Sequence, residues 1–292
     1  MTAPQQSSGR GAARNRDRMT TSLRGGGETH RGHVRDDNQD VILVESDLGL
    51  FAVLDGMGGA NAGDVAARMA GQEIVACIRK KSRIRRRSPR QLLELALHTA
   101  AVEVFTAAQK RLDYRGMGTT VVACLVVDPT RVVIGHAGDS RAYLLRDEEL
   151  VTLTRDHTVA QRLVDVGSLS FDEMERSPDK HRLTRNLGHD YGVRPDVLEQ
   201  TLQPGDRLLL CSDGLYGGTS VSSIRRVLAS RDAPEQAAHN LVELVLRGTA
   251  SDNISAIVLA VEGGQVRAAK DRRPSPTETR QPRASGPRKV RR

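Results

Sequence analysis

Aromatic residues are scarce in this sequence. Tryptophan is absent, and phenylalanine and tyrosine together make up 2% of the 292 residues. Proteins whose main ligand is single-stranded nucleic acid usually stack its bases on aromatic rings, so this composition argues against that class. The chain is nevertheless 38% hydrophobic and can bury a core. That core must consist mainly of leucine, valine, alanine and isoleucine.

The sequence also has few cysteines and no long apolar run. Cys77, Cys124 and Cys211 are far apart and form no C-x-x-C pair. This argues against a disulfide framework or a zinc ribbon and favours buried, reduced thiols. No run approaches the roughly 18 apolar residues of a membrane span, and the polar, Arg-rich start lacks the apolar centre of a secretory signal. We therefore expect a cytoplasmic protein without a membrane span.

Positive charge is concentrated near the two ends of the chain. The formal net charge is +8, but residues 265–292 hold ten Lys or Arg against two acids, and residues 1–24 hold five Arg against one Asp. The interior is net negative, although Arg79–Arg90 carries eight basic residues and no acid. A negative body with basic appendages suits cation binding. For the tail and for Arg79–Arg90, attraction to nucleic acid or acidic lipid is the alternative to a plain solvated segment.

The order of predicted elements indicates one α+β domain. Residues 1–24 and 264–292 have few apolar residues to bury and are predicted to be disordered, which leaves 25–263 as the domain. The candidate strands are Val41–Glu45, Leu50–Leu54, Thr120–Val127, Val132–Ala137, Ala142–Arg146, Arg207–Cys211 and Ser255–Val261. The candidate helices are Asp64–Lys80, Gln91–Arg111 and Ala233–Arg247. Two strands, two long helices and then adjacent strands favour a layered sandwich over a doubly wound sheet.

Several aspartates stand at the ends of the strongest strands. Asp55, Asp139 and Asp213 each follow an apolar strand, and Asp252 precedes one. A strand end aims a carboxylate rigidly, and a neighbouring glycine lets the backbone approach an ion closely. Converging carboxylates repel one another unless cations neutralise them, and oxygen ligands favour Mg²⁺ or Mn²⁺ over zinc. An Asp-Gly pair taken alone indicates a turn, so the prediction depends on the whole set.

An arginine precedes a further aspartate at the start of the first predicted strand. Arg35 lies five residues before Asp40 in Gly32-His33-Val34-Arg35-Asp36-Asp37-Asn38-Gln39-Asp40. A guanidinium group can bind a phosphate dianion through two parallel hydrogen bonds. The segment therefore indicates a phosphate-binding arginine, with an ordinary exposed turn as the alternative.

Seven short segments occur in an order that is typical of one family. They are Arg35-x-x-Asn38-Gln39-Asp40, Asp55-Gly56-Met57-Gly58-Gly59, Gly118-Thr119-Thr120, Gly138-Asp139-Ser140-Arg141, Asp156-His157-Thr158, Ser212-Asp213-Gly214 and Asp252-Asn253. Together they resemble the metal-dependent protein phosphatases of type 2C, the PPM family, in their bacterial form. The resemblance covers residues 28–262. It implies a four-layer α-β-β-α sandwich, in which helix pairs flank two antiparallel sheets, with a mobile flap at about 166–190.

The resemblance also implies roles for individual residues. Asp55 would bridge two Mn²⁺ or Mg²⁺ ions, with Asp213 and Asp252 completing one site and the carbonyl of Gly56 binding the other ion. Asp40 and Gln39 would act through bound waters, and Arg35 would hold the substrate phosphate. Asp139 would help to bind a third, weaker ion. The implied activity is hydrolysis of phosphoserine and phosphothreonine by a water shared between the two ions.

The sequence departs from the family pattern at two positions. Many relatives have glutamate where this chain has Gln39, so the metal shell loses one negative charge. Eukaryotic relatives have a histidine, a proposed general acid, where this chain has Met57, so the leaving oxygen must receive its proton from water or another group. His157 is the obvious substitute, but Asp156-His157-Thr158 is typical of a capped helix start, which favours a structural role.

Phosphoproteins and a Ser/Thr kinase that supplies them are the expected partners, and we expect a monomer. The main rival is a catalytically poor phosphatase fold that acts as a binding module, docked through its basic tails on nucleic acid or an acidic partner. The complete set of aspartates argues against this rival. A third alternative is a partner-switching phosphatase that acts on one small regulatory protein.

Overall fold

Two antiparallel β-sheets lie at the centre of the fold. The computed structural model describes residues 19–58, 62–80 and 87–265, and residues 21–264 form one compact unit. The strands are β1 (Met19–His30), β2 (Asp40–Glu45), β3 (Leu50–Met57), β4 (Gly118–Thr119), β5 (Val121–Asp128), β6 (Arg131–Ala137), β7 (Arg141–Arg146), β8 (Glu149–Thr152), β9 (Asp196–Thr201), β10 (Arg207–Cys211) and β11 (Ile254–Gln265). One sheet has the order β1-β11-β10-β7-β8. The other has the order β2-β3-β5-β6-β9, with β4 beside β3.

The described residues form seven α-helices, of which the first two and the last three pack on the outer faces of the sheets. They are α1 (Ala62–Arg79), α2 (Pro89–Lys110), α3 (Val159–Asp165), α4 (Phe171–Arg176), α5 (Asp213–Gly218), α6 (Val221–Ala229) and α7 (Pro234–Leu246). A side-chain capping box between Ser88 and Gln91 starts α2, and Pro89 follows at its first position. None of the described helices combines the length and hydropathy that crossing a bilayer requires.

Three apolar clusters hold four layers together. Alternate residues of β3 point in opposite directions, so Ala52 and Leu54 pack against α1 and α2, while Phe51 and Val53 pack between the sheets. Strand β10 does the same on the other side, with Leu209 packed among α5, α6 and α7. Because both faces of these strands are covered, they are continuous apolar runs in the sequence. The predicted α-β-β-α sandwich is confirmed.

The polar and edge elements differ from the prediction. Strand β1 begins at Met19, inside the segment predicted to be disordered, because it is held by pairing with β11 rather than by an apolar run of its own. Strands β8 and β9 were not predicted, and α4 lies in the segment expected to be an irregular flap. The basic residues 81–86 and the terminal segments 1–18 and 266–292 lie outside the described residues.

Candidate active site

A cleft of about 880 Å³ contains most of the side chains that the sequence indicated. Its lining includes Arg35, Gln39, Asp55, Gly56, Asp139, Asp213 and Asp252. Asp40 is next to this lining and only 5% exposed. Both sheets contribute, since β2 and β3 belong to one and the segments that flank β10 and β11 belong to the other. The fold therefore brings together residues that are far apart in the sequence.

Asp40 and Asp55 face each other across two neighbouring strands. Asp40 opens β2 and is the antiparallel partner of Asp55 near the end of β3. Directly opposed like charges in a sheet are destabilising. Burial, followed by repulsion from Asp40 and Asp213, raises the pKa of Asp55 well above its usual range. The pair is therefore costly in its ionised form unless a cation is bound.

Within the described part of the chain, one carboxylate oxygen of Asp40 has no hydrogen-bond partner. Its Oδ2 accepts hydrogen bonds from the hydroxyls of Ser212 (2.8 Å) and Ser255 (2.7 Å), whereas Oδ1 is buried with no hydrogen-bond partner among the described residues. Burial raises the pKa of Asp40 to about 7, although the two serine hydrogen bonds act in the opposite direction. A buried polar atom without a partner is unfavourable, so this oxygen indicates that a water or an ion belongs beside it.

Gly56 lets three backbone segments meet at the edge of the cleft. Its N–H donates to the carbonyl of Gln39 at 3.2 Å. A Cβ at this position would lie 2.2 Å from the Gly63 carbonyl oxygen and 2.6 Å from that of Gln39. Only glycine fits such an approach. The residue therefore holds the end of β3, with Asp55, close to the segment that carries Gln39.

Asp139 and Asp213 enter the cleft from turns after β6 and β10. Asp139 is 4% exposed, and burial, then repulsion from Asp213, raises its pKa to about 7. Its backbone carbonyl accepts a hydrogen bond from the hydroxyl of Tyr216 at 3.1 Å. Asp213 is the first residue of α5, which follows β10 after a single residue. The predicted placement of both aspartates at strand ends agrees with the structure.

Asp252 is fastened to the loop that carries Arg35. Asn253 donates to the carbonyls of Arg31 and Asp37, both at 2.9 Å, and its Oδ1 accepts from Gln39 N at 2.8 Å. The guanidinium of Arg35 donates to Asp252 Oδ2 at 2.8 Å, and the Arg35 side chain is 57% exposed. This hydrogen bond raises the pKa of Arg35. A cationic donor is thus held at the mouth of an acidic cleft.

His181 also lies in the cleft, although no motif or periodicity indicated it. Its Nδ1 is 3.3 Å from Asp213 Oδ2, and this contact raises the pKa of the imidazole. Three possible metal ligands lie within 4.8 Å of one another, one atom each from Asp139, His181 and Asp213. His181 belongs to the polar segment after α4, where no periodicity or motif distinguishes it. Only the tertiary fold identifies this residue.

His157 and Met57 lie in different surroundings. Met57 lines the cleft, and it occupies the position where eukaryotic relatives have the histidine that is their proposed general acid. His157 is 3% exposed and absent from the lining, and Thr158 caps α3 by accepting from Gln161 N. The structural interpretation of Asp156-His157-Thr158 as a helix start is consistent with this geometry.

Comparison with known proteins identifies the family. Residues 24–246 match the family model described as Protein phosphatase 2C. The serine/threonine protein phosphatase PstP of Mycobacterium tuberculosis is 36% identical over 245 residues, which are 84% of this chain and 46% of the relative. The serine/threonine phosphatase stp of Listeria monocytogenes (strain EGD-e) is 32% identical over 247 residues, 83% of this chain and 97% of the relative. The chain thus spans about half the length of PstP.

Solved structures agree with this match. The catalytic domain of PstP in complex with two manganese ions superposes with a TM-score of 0.73 at 34% identity, covering 83% of this chain and all of that one. A structure described as a bacterial serine phosphatase superposes with a TM-score of 0.77 at 31% identity, covering 84% of this chain. The resemblance predicted from seven short segments is confirmed, and the chain belongs to the protein phosphatase 2C family.

Proposed function

We propose that this chain hydrolyses phosphoserine and phosphothreonine in proteins with the help of two Mn²⁺ or Mg²⁺ ions. The observation that carries this proposal is the convergence of four aspartates in one cleft, beside the unpartnered oxygen of Asp40. Hard divalent cations with oxygen ligands would neutralise such a set. Relatives named serine/threonine phosphatases, one of them solved with two manganese ions, support it.

Each acidic residue has a proposed role. The resemblance assigns Asp55 to both ions, and repulsion from the neighbouring aspartates, which raises the pKa of its carboxyl group, supports a cation beside it. Asp213 and Asp252 would complete one site, and the Gly56 carbonyl would serve the other ion. Asp40 and Gln39 would act through waters, which suits the free Oδ1 of Asp40.

The reaction needs a nucleophile, a phosphate grip and a proton for the leaving oxygen. When bound, the ions supply an activated water and offset charge on the phosphoryl oxygens. The exposed guanidinium of Arg35 would exchange its hydrogen bond to Asp252 for a bidentate grip on the substrate phosphate. Since Met57 cannot donate a proton, the leaving oxygen would receive one from water or from another group in the cleft.

We extend the proposal to a third, weaker cation site. Asp139, Asp213 and His181 have ligand atoms within 4.8 Å of one another. A nitrogen donor beside two carboxylates favours Mn²⁺ over Mg²⁺, because imidazole suits transition metals better than it suits magnesium. His181 would thus make this site more selective for Mn²⁺ than oxygen ligands alone.

We also propose that a Ser/Thr kinase of the same cell supplies the substrates and that the enzyme acts as a cytoplasmic monomer. The basic residues of 264–292 would add a salt-sensitive attraction to polyanions. The rival binding-module hypothesis requires no turnover, and the first experiment therefore measures turnover.

The experiment is hydrolysis of p-nitrophenyl phosphate and of a phosphothreonine peptide in EDTA, Mg²⁺ and Mn²⁺. We expect no turnover in EDTA, recovery with Mn²⁺, and a loss on the order of 10³-fold in Asp55→Asn and Asp213→Asn. Asp206→Asn is the control, because Asp206 is more buried than the half-buried Asp55 and Asp213 but pairs with Arg146 outside the cleft. Equal turnover with and without metal, or undiminished turnover in the two cleft variants, would refute the proposal.

A further inference from the structure

The direction of the Asp139 carboxylate depends on a tight turn at Gly138. This turn joins β6 to β7, and Gly138 has a φ of +114°. A Cβ there would lie 2.6 Å from Cβ and Cγ2 of Thr120. The conformation and the close approach both require glycine. Any group that fixes the backbone of Gly138 therefore also fixes the aim of Asp139.

His157 binds both backbone groups of Gly138. The Gly138 N–H donates to Nδ1 of the His157 ring at 3.2 Å. The Gly138 carbonyl accepts a second hydrogen bond, of 2.9 Å, from the backbone N–H of His157. The side chain is buried against His136, whose ring stacks on it with centroids 4.5 Å apart. His136 is itself held by a hydrogen bond of 3.0 Å between its Nε2 and the carbonyl of Arg155. The imidazole of His157 thus has little freedom to turn.

Gly138 and Asp196 together determine which nitrogen of His157 carries the proton. Since Nδ1 accepts from Gly138, the neutral ring must carry its proton on Nε2. That nitrogen lies 3.2 Å from Asp196 Oδ2, which accepts the hydrogen bond. Arg185 holds the other oxygen of Asp196 at 2.6 Å. With its Nε2 protonated, His157 cannot bind a cation there, so His136, His157 and Asp196 are not a metal site despite their proximity.

His157 is also attached to the segment that carries His181. Its carbonyl accepts from Thr184 N at 2.7 Å, and Thr158 forms a β-bridge with Leu183. Two of the three donors of the proposed third cation site, Asp139 and His181, are therefore both fastened close to one residue. The imidazole of His157, held by Gly138, His136 and Asp196, fixes the backbone position on which the distance between these two donors depends.

We propose that Asp196 and His157 form a positioning relay for the third cation site. Asp196 fixes the tautomer of His157, and His157 holds the Gly138 turn and the Thr184 segment at the spacing that lets Asp139 and His181 share an ion. Neither residue touches the substrate or the ions. The inference rests on the proposed function, since it requires cation binding by this chain.

The test is to titrate the full chain and its variants with Mn²⁺. Calorimetry and electron paramagnetic resonance measure the binding. We expect three sites in the wild type, and a weakening of the weakest site alone by about tenfold or more in Asp196→Ala and His157→Ala. Asp196→Asn keeps an acceptor for Nε2, and His157→Asn keeps an acceptor near the position of Nδ1. Both should retain the weak site within about threefold.

Asp165→Ala is the control, because Asp165 pairs with Arg155 and does not contact His157. A lost relay should leave the affinity for the two tighter ions and the melting temperature unchanged, whereas general damage to the fold should lower both. If His157→Ala does not fold, Asp196→Ala still tests the inference, because Asp196 is exposed and tolerates substitution. Unchanged weak binding in Asp196→Ala, equal weakening of all sites, or only two sites in the wild type would overturn the inference. A wild-type chain that binds no Mn²⁺ would instead overturn the proposed function.

Discussion

Charge repulsion dominates the cleft at the scale of single residues. Asp40 and Asp55 oppose each other across β2 and β3, and Asp139 and Asp213 add to the same negative field. Two serine hydroxyls donate hydrogen bonds to one oxygen of Asp40, and the Arg35 guanidinium donates one to Asp252. Asn253 N–H donates to Asp252 Oδ1 and His181 lies beside Asp213, but among the described residues nothing donates to Oδ1 of Asp40. The site is therefore built for cations that the chain itself does not supply.

Arg35→Lys tests the phosphate grip at this scale. A lysine ammonium can replace the charge but not the bidentate fork, so we expect the KM for a phosphopeptide to rise about tenfold, the value of one charge-assisted hydrogen bond of about 1.5 kcal/mol. Steady-state kinetics with saturating Mn²⁺ would measure this. Arg68→Lys is the matched control, since Arg68 is also 57% exposed and paired with one aspartate, but lies on α1. An unchanged KM in Arg35→Lys would show that Arg35 does not hold the phosphate.

The residues of the site differ in how far the sequence could predict them. Asp55, Asp139 and Asp213 stand where apolar strands end, and this local pattern is visible without a structure. The contact of His181 with Asp213 joins residues 32 positions apart through a polar segment that has no periodicity. Such a contact is determined by tertiary packing, so no reading of local residue types could have found it.

Among the secondary-structure elements, the buried strands and the apolar edge strand β2 were predictable, whereas the polar edge strands β1, β8 and β9 were not. Strands β3 and β10 contain the continuous apolar runs Leu50–Leu54 and Leu208–Cys211, because each strand contacts one cluster on either face. Strand β9 is an edge strand whose residues are largely exposed or half-buried, and β1 contains three consecutive glycines. These strands are held by main-chain hydrogen bonds to β6 and β11, which leave little trace in residue type.

Two capping boxes give a prediction about helices. Ser88 caps α2, a 22-residue helix packed in the core, and Ser170 caps the six-residue α4 in the same way. We expect Ser88→Ala to lower the global free energy of unfolding by about 1 kcal/mol, measured by urea denaturation. Ser170→Ala should leave that free energy within about 0.5 kcal/mol while increasing amide exchange in α4, because a short surface helix can open without global unfolding. Equal global effects of the two variants would contradict this.

The acidic cleft lowers the stability of the metal-free fold, and bound cations would offset this loss for the molecule as a whole. Burial raises the pKa of Asp40 and Asp139 to about 7, from an ordinary value of 3.8. A carboxyl group with a raised pKa binds its proton more tightly in the folded state than in the unfolded state. The stability it contributes is present at low pH and is lost as the pH rises through about 7. Without metal, the folded chain therefore carries a cost that grows from about pH 4 to pH 7.

Asp139→Asn removes one of these groups and should reverse its effect on stability according to metal and pH. In EDTA we expect the variant to match the wild type near pH 4 and to exceed it at pH 8 by about 1.4 kcal/mol or more, the equivalent of one pKa unit. With saturating Mn²⁺ at pH 8 the order should invert, because the wild type gains more binding free energy from the ion. Thermal denaturation at both pH values, with and without Mn²⁺, measures the four differences.

Asp128→Asn is the control of opposite sign, since Arg131 and Thr130 lower the pKa of Asp128 to about 2. Loss of this carboxylate should therefore destabilise the chain at pH 8, both with and without Mn²⁺. If Asp139→Asn proves less stable than the wild type in EDTA at pH 8, burial of that carboxylate is not a cost, and the cleft does not need a cation to relieve it.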